Sequence, residues 1–250
     1  MILKEKIAVI AGDSYGIGQA TAALFLQEGA RVVFIDDKAG FERADKFRIG
    51  ELDVPYYHAN VSDSAQVQAV VRACEKVLPK VDILFNVAGR ADRASFEHTT
   101  DEGWATMLGR NLNSGFYCAK YFLPLMKRAG SGSIINHASI DGFLGNPSIA
   151  GYSAAKGGML PLTHVMAHDL AKYCIRVNSI STGGVRPTAA ATSARDEVRI
   201  AVTPSQRMGT PQDIAPVALF LASDAAAYVN GANIVVDGGR TATTHGCYDD

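Results

Sequence analysis

Residues 7–18 read IAVIAGDSYGIG, and this stretch decides the fold that the rest of the chain must follow. Its first five residues are apolar, which is typical of a buried parallel strand. Three glycines follow with the spacing G-x-x-x-G-x-G, at Gly12, Gly16 and Gly18, and a helical pattern then runs to Gly29. This order predicts a phosphate site, because glycines admit a diphosphate and the helix N-terminus offers free N–H groups. The alternative is that the glycines only permit a tight turn.

Residues 31–35, RVVFI, predict a second strand that ends at Asp36 and Asp37. An acidic side chain about 20 residues beyond the glycine turn can accept hydrogen bonds from ribose hydroxyls and repels a 2′-phosphate. We therefore predict NAD rather than NADP as the cofactor, with Asp36 contacting the ribose and Asp37 as a neighbour only. The alternative for Asp36 is a solvated acid at the end of a strand.

Strand-like and helix-like segments alternate along the remaining chain. Residues 38–53 predict a short helix and a loop, and further strands are expected at residues 54–58, 81–85, 132–138, 175–180 and 232–236. This alternation predicts an α/β fold: a single-domain Rossmann fold over residues 1–250, with a doubly wound parallel sheet of about seven strands and helices on both faces. Such folds bind ligands at the carboxyl ends of the strands. Five candidate residues fall at those ends, namely Asp36, Asn60, Asn86, Ser139 and Gly183.

The helical segments carry three local expectations. Ser62 is the expected N-cap of a helix that continues to about residue 78, and Pro161 predicts a kink or an early break in a helix over 151–173. Asn111 lies inside a helical region over 100–129, where an asparagine among apolar residues must be hydrogen-bonded, so it is a candidate for a functional polar network. Residues 186–206 predict a substrate lid with some helix, and residues 241–250 form a tail without a pattern.

Tyr152 and Lys156 are four residues apart and therefore share one face of a helix. An ammonium on that face favours the phenolate and lowers the tyrosine pKa, which would let Tyr152 take or give a proton near neutral pH. Ser139 follows an apolar strand and could bring a hydroxyl to the same point. The alternative is a solvated surface tyrosine with an unrelated lysine.

Composition excludes several classes of function. A net charge of −1 argues against a nucleic-acid partner or a membrane-surface partner, and no apolar run is long enough to span a membrane. Four cysteines are scattered without a C-x-x-C pair, which disfavours a zinc site or a disulfide framework and indicates a cytoplasmic protein, with Cys247 as the expected exposed thiol. His164 and His168 have a metal-pair spacing, but no third ligand is evident, so we predict no metal and prefer a surface or subunit contact.

From about residue 6 to residue 240, the chain resembles the classical short-chain dehydrogenase/reductase family. The motifs that carry the resemblance occur in the family's order: the glycine turn at 12–18, the turn at 86–89, Asn111, Ser139, Tyr152 with Lys156, residues 178–183, residues 207–215 and Asp237-Gly238-Gly239. The resemblance implies that Tyr152 is the acid/base and that Lys156 lowers its pKa and binds the nicotinamide ribose. It further implies that Ser139 bonds the substrate oxygen and that Asn111 holds a water linking Lys156 to solvent.

The resemblance also implies a set of cofactor contacts and an assembly. The implied cofactor-binding residues, besides Tyr152 and Lys156, are Gly12, Tyr15, Gly16, Ile17, Gly18, Asp36, Asn60, Val61, Asn86, Ala88, Gly89, Gly183, Val185 and Thr188. The implied assembly is a homotetramer, with the helices near 100–129 and 151–173 forming one interface. The chain departs from the family's usual residues at Ala11 for threonine, Asn60 for aspartate, Val87 for asparagine, Thr182-Gly183 for Pro-Gly, and Pro187 for threonine, with Thr188 one place later.

Three functions follow as hypotheses. The first is an NAD-dependent oxidoreductase that interconverts a small-molecule secondary alcohol and a ketone. The second is an NADPH-preferring carbonyl reductase of the same fold, and the third is a non-catalytic nucleotide-binding regulator. Substrate choice should depend on residues 90–97, 140–149 and 186–206, where an arginine could pair with a substrate carboxylate or phosphate. The arginines concerned are Arg90, Arg93, Arg186, Arg195 and Arg199, and Phe96, Phe143 and Leu144 favour an apolar wall equally.

Overall fold

The computed structural model of the chain describes residues 1–37, 46–186 and 193–242. Among these residues, eight strands form one sheet: β1 (Ile7–Ala11), β2 (Arg31–Asp36), β3 (Lys46–Ile49), β4 (Leu52–His58), β5 (Ile83–Asn86), β6 (Gly132–Ser139), β7 (Ile175–Thr182) and β8 (Asn233–Val236). The α-helices of the described ranges are α1 (Ile17–Gln27), α2 (Ser64–Cys74), α3 (Asp101–Leu108), α4 (Ser114–Arg128), α5 (Ala150–Leu170), α6 (Ala194–Ala201) and α7 (Pro211–Ala222). No helix in this part of the chain is both long and apolar enough to cross a membrane.

The sheet order is β3-β4-β2-β1-β5-β6-β7-β8, and every neighbouring pair is parallel except β3 with β4. The chain leaves β1 toward β2 and β4 on one side and then returns to β5 on the other side of β1. This reversal is a topological switch point, and in open parallel sheets the ligand crevice opens at the carboxyl ends of the strands beside it.

The residues of β1 are all buried, and their side chains alternate between two cores. Ala8 and Ile10 belong to the core that contains Phe25 of α1, whereas Val9 belongs to the core that contains Phe122 of α4. Helices therefore cover both faces of the sheet, which is why β1 is apolar throughout rather than alternating. The doubly wound α/β fold predicted from the sequence is confirmed.

The expectation of a short helix and a loop over residues 38–53 is wrong where the structure describes it. Residues Lys46–Ile49 form the edge strand β3, which pairs antiparallel with β4, and residues 38–45 lie outside the described ranges. Phe47 and Ile49 are buried whereas Lys46 and Arg48 are exposed, so the segment does alternate as a strand. Four residues with two charges give too short an alternation to stand out, and the sheet has eight strands rather than about seven.

Two helix details also differ from expectation. The N-cap of α2 is Asp63 rather than Ser62, because the Asp63 carboxylate accepts hydrogen bonds from the backbone N–H groups of the first turn, and α2 ends at Cys74. Pro161 does not end α5, which continues to Leu170. The proline lies on the exposed side of the helix, where a carbonyl that loses its partner can turn to water.

Candidate active site

The turns that follow β1 and β5 pack against each other backbone to backbone. Gly12 has a φ of +97°, and a Cβ atom on it would lie 2.4 Å from the Cα of Ala88. The N–H groups of Val87 and Ala88 both donate to the carbonyl of Ala11, at 2.9 and 2.8 Å. Gly12 therefore has two reasons to be glycine, its left-handed conformation and this close approach. The predicted glycine turn lies at the switch point, as expected.

Asp13, inside the glycine turn, occupies the N-terminus of α1. Its carboxylate Oδ2 accepts hydrogen bonds from the backbone N–H groups of Ile17 at 2.5 Å and Gly18 at 3.4 Å. The expectation that these N–H groups are free is therefore wrong. Burial raises the pKa of Asp13, the two backbone hydrogen bonds lower it, and the nearby charge of Asp36 raises it. Sequence reasoning missed Asp13, although an acidic residue just before a helix is a usual capping signal.

Asp36 reaches back from the end of β2 to the same turn. Its Oδ2 accepts a hydrogen bond from the backbone N–H of Ser14 at 2.9 Å, and its Oδ1 accepts one from the backbone N–H of Asp37 at 3.0 Å. Tyr15 is exposed beside this carboxylate end of the turn, with its ring edge-on to Phe47 at 5.6 Å between centroids. Asp36, the acidic residue predicted to contact the ribose, thus lies against the glycine turn rather than in open solvent.

Two predicted cofactor contacts have side chains that are already engaged. The Oδ1 of Asn60 accepts hydrogen bonds from the backbone N–H and the hydroxyl of Ser62, at 2.9 and 2.6 Å, so its amide N–H₂ is the group it could offer to adenine. Asn86 points into the protein, where its Nδ2 donates to Asn136 at 2.9 Å, and Asn136 in turn donates to Thr163. Only the backbone of Asn86 is available to a ligand.

The remaining predicted contacts line the crevice or fall outside the described residues. Val61 is buried beside the carboxyl end of β4, and a Cβ atom on Gly183 would lie 2.9 Å from the Cα of Asp237. Val185 forms an isolated parallel bridge with Gly209. Thr188, together with Pro187 and the rest of 187–192, lies outside the described residues, so the lid expected over 186–206 is described only in part, including α6.

A single cleft of about 800 Å³ joins the glycine turn to Ser139 and Tyr152, two of the four predicted catalytic residues. Its walls include Gly16 and Ile17 of the turn, Ser139 and Tyr152, and Arg199 of α6. Ser139 is the last residue of β6, and Tyr152 and Lys156 are one turn apart on α5. The strand end and the helix thus bring to one place the hydroxyls that the sequence keeps thirteen residues apart, at positions 139 and 152.

The pKa of Tyr152 is raised, not lowered as expected. Burial is the largest cause, Asp141 raises the pKa further, and hydrogen bonding with Ser139 and the charge of Arg199 lower it. Lys156 does not reverse this, because its Nζ lies 5.8 Å from the centroid of the Tyr152 ring and donates to the carbonyl of His137 at 2.7 Å. Tyr152 therefore holds its proton at neutral pH.

Lys156 is almost fully buried, and burial lowers the pKa of its ammonium to about 7, with Asp13 opposing that shift. A Cβ atom on Gly89 would lie 3.0 Å from Nζ of Lys156 and 2.5 Å from Oδ1 of Asn111. Gly89 is therefore required for the lysine and the asparagine to approach the turn after β5. A lysine with a pKa near neutrality can exchange its proton with a neighbouring group at little cost.

Asn111 is buried in a π-helical segment, Gly109–Asn113, between α3 and α4. Its Nδ2 donates to the carbonyls of Arg90 and Met107, and its Oδ1 accepts from the backbone N–H of Arg90, each at 3.0 Å. The predicted hydrogen-bond network is present, and through Arg90 it fixes the backbone of the loop after β5. Single π turns inside helices are frequent at functional sites because they re-aim one residue.

His137 is a residue of the site that sequence reasoning missed. Its Nε2 lies 3.0 Å from the hydroxyl of Thr182, and its Nδ1 is buried without a hydrogen-bond partner among the described residues. Burial and the charge of Lys156 lower its pKa, so the ring is neutral. The sequence signal was available, because residues 137 and 139 of a strand point to the same face and Ser139 was already a candidate.

The described ranges contain no cluster of three or more His, Cys, Asp or Glu residues that could hold a metal ion. His164 and His168 are exposed on α5, and Nδ1 of His168 lies 3.1 Å from the carboxylate of Asp169. Among the cysteines, Cys74 and Cys118 are buried and Cys174 is exposed, whereas Cys247 lies outside the described residues.

Comparison with known proteins gives the family. A family model described as "Enoyl-(Acyl carrier protein) reductase" matches residues 11–241. The chain belongs to the short-chain dehydrogenase/reductase family. An uncharacterized oxidoreductase of Thermotoga maritima is 37% identical, with 96% of this chain and 97% of that protein covered. An NADP-dependent (R)-specific alcohol dehydrogenase of Lentilactobacillus kefiri is 36% identical, with 96% and 98% covered.

A solved structure adds a ligand-bound relative. The gluconate 5-dehydrogenase of Burkholderia cenocepacia, in complex with NADP and tartrate, is 32% identical and superimposes with a TM-score of 0.87 over 97% of each chain. As a short-chain dehydrogenase/reductase, this protein is an oxidoreductase that binds a nicotinamide cofactor. The residues present fit such a dinucleotide, since the Asp36 carboxylate lies against the glycine turn and residues of that turn line the same cleft as Ser139 and Tyr152. The residue that opposes a diphosphate is Asp13.

The first prediction concerns Asp13. A carboxylate and a diphosphate cannot share the N-terminus of α1 without a like-charge contact, which costs about 1–4 kcal/mol at 4 Å, depending on the local dielectric. Asp13→Asn should therefore bind ADP-ribose about tenfold more tightly than the unmodified protein, and adenosine, which has no phosphate, with unchanged affinity. Isothermal titration calorimetry measures both. Asp37→Asn, an equal change of charge at an exposed neighbouring position, is the control and should alter neither affinity.

The same contact predicts a pH dependence. Because the pKa of Asp13 is raised, its carboxyl group gains a proton at a higher pH than an ordinary aspartate does as the solution is acidified, and ADP-ribose should then bind more tightly to the unmodified protein. Lys156 has a pKa of about 7, which the Asp13 carboxylate raises, so the two proteins are compared well below that pKa, where the lysine is charged in both. Equal gains for adenosine and ADP-ribose, or parallel pH profiles in the two proteins, would contradict this role.

Proposed function

We propose that the protein is an NAD(H)-dependent oxidoreductase that interconverts a small-molecule secondary alcohol and a ketone, with Tyr152 as the acid/base. The observation that carries the proposal is the single cleft that reaches from Asp13 and the glycine turn to Ser139 and Tyr152. A dinucleotide bound in that cleft with its adenosine toward Asp36 would place its other end beside two hydroxyl groups. That is the arrangement required for hydride transfer coupled to proton transfer.

The nicotinamide ring supplies or accepts the hydride, and the residues of the chain manage the proton. In the direction of reduction, Tyr152 holds a proton at neutral pH and donates it to the ketone oxygen as negative charge develops there. Ser139 donates a second hydrogen bond to the same oxygen. Lys156, held by the carbonyl of His137, lies on the tyrosine side of the cleft and can return a proton to the phenolate. The role of Asn111 as holder of a water that connects Lys156 to solvent belongs to the same proposal.

The preference for NAD(H) rests on Asp36. Its carboxylate is held against the glycine turn by the backbone N–H of Ser14, so it cannot turn away from a group on the ribose without losing that bond. A 2′-phosphate placed there meets a fixed negative charge. The NADP-dependent alcohol dehydrogenase and the NADP-bound gluconate dehydrogenase support the second candidate, an NADPH-preferring carbonyl reductase of the same fold.

The second prediction separates these two cofactors. NADH should bind more tightly than NADPH, and Asp36→Asn should reduce that preference about tenfold, because the amide can still accept the Ser14 hydrogen bond but no longer repels a phosphate. The titration can be followed by energy transfer from Trp104, the single tryptophan, which packs beside Gly151 on the helix that carries Tyr152. Asp37→Asn is the matched control. Equal affinity for the two cofactors in the unmodified protein would favour the second candidate, the NADPH-preferring carbonyl reductase.

The third prediction tests catalysis by Tyr152. Tyr152→Phe removes only the hydroxyl, so turnover in a cofactor-coupled screen of secondary alcohols and ketones should fall about 10²–10⁴-fold while the Kd of NADH stays within about twofold. Tyr228→Phe, which removes the same atom from a fully exposed side chain, should have no effect. Unchanged turnover in Tyr152→Phe would remove the tyrosine from the mechanism. A complete lack of turnover in the unmodified protein, with NADH binding intact, would favour the non-catalytic nucleotide-binding regulator.

The fourth prediction concerns the assembly. We propose a homotetramer in which α4 and α5 form one interface, supported by Phe116 and Val165, large apolar side chains that these helices leave exposed. Sedimentation velocity should show a tetramer, and Val165→Asp should shift it to a smaller species. Val77→Asp is a matched control, because Val77 is 56% exposed and Val165 is 57% exposed, but Val77 lies outside α4 and α5. A tetramer that survives Val165→Asp would exclude this interface.

A cytoplasmic location, expected from the cysteine usage, is part of the same proposal.

A further inference from the structure

Three arginines of the cleft that contains Tyr152 lie close to one another. Arg93 lies in the loop after β5, and Arg195 and Arg199 are one turn apart on the same face of α6. All three line the cleft that contains Ser139 and Tyr152. A loop and a helix far apart in sequence thus present positive charge to one space.

These arginines influence one another and have little compensation within the described chain. Burial lowers the pKa of Arg93, and the charges of Arg195 and Arg199 lower it further, which shows that the three cations are close. Across the described ranges, neither Arg93 nor Arg195 has a carboxylate within 4.0 Å, and both are absent from every ion pair of those ranges. Like charges held together without a counter-ion are costly, so a bound anion would relieve them.

The other charged groups around the cluster are already engaged. The carboxylate of Asp196 lies 3.9 Å from Arg199, but it is held at 2.9 Å by Arg186 and also accepts hydrogen bonds from Ser193. Arg207, further along the cleft, makes a bidentate pair with Asp213 at 2.6 and 2.8 Å. Asp141 also acts on the cluster, since its charge raises the pKa of Arg93. Asp141 and Asp196, the latter shared with Arg186, supply less negative charge than the three guanidinium groups supply positive charge.

The cluster is within electrostatic reach of the acid/base. Arg199 lowers the pKa of Tyr152 and Asp141 raises it, so both groups act on the hydroxyl that would exchange a proton with the substrate. Leu144 and Val198, exposed apolar side chains, line the cleft between its polar groups. A substrate with its reacting carbon at Tyr152 and a short apolar stem could therefore extend an end group to the arginines.

We propose that Arg93, Arg195 and Arg199 form a subsite for an anionic group, a carboxylate, sulfonate or phosphate, carried by the same molecule as the reacting alcohol or ketone. The guanidinium group suits this role because its planar fork gives two parallel hydrogen bonds to an oxyanion. This inference rests on the proposed function, since it needs the reacting carbon at Tyr152. It names a substrate class, hydroxy or oxo acids with an apolar stem.

The fifth prediction compares substrates in matched pairs. A panel of secondary alcohols is offered with the cofactor, each as its carboxylate and as its methyl ester, which is similar in shape but uncharged. The carboxylate of a pair should have the higher kcat/KM, and Arg195→Ala and Arg199→Ala should each raise its KM about tenfold or more and leave the KM of the ester unchanged. Arg199→Ala also removes a charge that lowers the pKa of Tyr152, so any change in kcat should be the same for ester and carboxylate. Arg195→Lys, which keeps the charge but loses the fork, should recover part of the loss. Arg128→Ala is the control, because Arg128 is exposed at the C-terminal end of α4, where it pairs with Glu75.

A binding measurement decides the same point without turnover. Malonate is titrated by calorimetry into the protein saturated with NADH, so that the diphosphate already fills its own site and cannot be the group that competes. Saturable binding that weakens at least tenfold in Arg93→Ala and in Arg195→Ala, but not in Arg128→Ala, supports the subsite. Failure of malonate to bind the unmodified protein would overturn the subsite. So would binding that neither Arg93→Ala nor Arg195→Ala weakens.

These experiments distinguish a failure of the anionic subsite from a failure of the proposed oxidoreductase function. Turnover of esters and carboxylates with equal kcat/KM keeps the oxidoreductase and removes the anionic subsite. Absence of all turnover, with malonate binding that depends on the arginines, removes the secondary-alcohol chemistry tested and keeps the anion site. A preference for carboxylates that persists in both Arg195→Ala and Arg199→Ala would also overturn the assignment of the site to these residues.

Discussion

The structure depends on one constraint, the absence of side chains where the turns after β1 and β5 meet. Gly12 lies against Ala88, and the next residue, Gly89, leaves room for Oδ1 of Asn111 and Nζ of Lys156. A Cβ atom at either glycine would overlap these neighbours, at 2.4–3.0 Å. The same line of contacts therefore joins the glycine turn to Lys156. In the proposed mechanism, cofactor binding and proton transfer share this packing arrangement.

Charge is distributed along the cleft in three zones. Asp13 and Asp36 make the adenosine end acidic, whereas Arg93, Arg195 and Arg199 make the opposite end basic. Between them burial dominates: it raises the pKa of Tyr152 and lowers those of Lys156 and His137, so each group is shifted toward its uncharged form. A site of this kind stores a proton on Tyr152 and leaves the charged ends to orient the two ligands. In the functions proposed above, the carboxylates at the glycine turn would select against a phosphate on the ribose, and the three arginines would select for an anion on the substrate.

Much of the fold could be predicted from the sequence because parallel strands buried on both faces are short, apolar and regularly spaced. β1 is an example, since its five residues leave no ambiguity about period. β3 could not be predicted, because its strand character depends on pairing with β4 and only Phe47 and Ile49 face inward. The motifs similarly predicted that Ser139 and Tyr152 lie together in one cleft with the glycine turn. They did not predict the state of those residues, because a pKa depends on burial and on charges from distant segments, as the raised pKa of Tyr152 shows. Asp13 and the π turn at Asn111 are likewise consequences of local geometry.

A crystal structure of the protein with NADH bound is the most direct test of the central claim, that the cleft at the switch point holds the cofactor and presents it to Tyr152. We predict that the dinucleotide lies across the carboxyl ends of β1, β2 and β5, with its nicotinamide ring beside Ser139 and Tyr152. We also predict that the Asp13 carboxylate has left the N–H groups of Ile17 and Gly18 to make way for the diphosphate. NADH bound outside this cleft, or bound within it while Asp13 keeps both hydrogen bonds, would contradict the account.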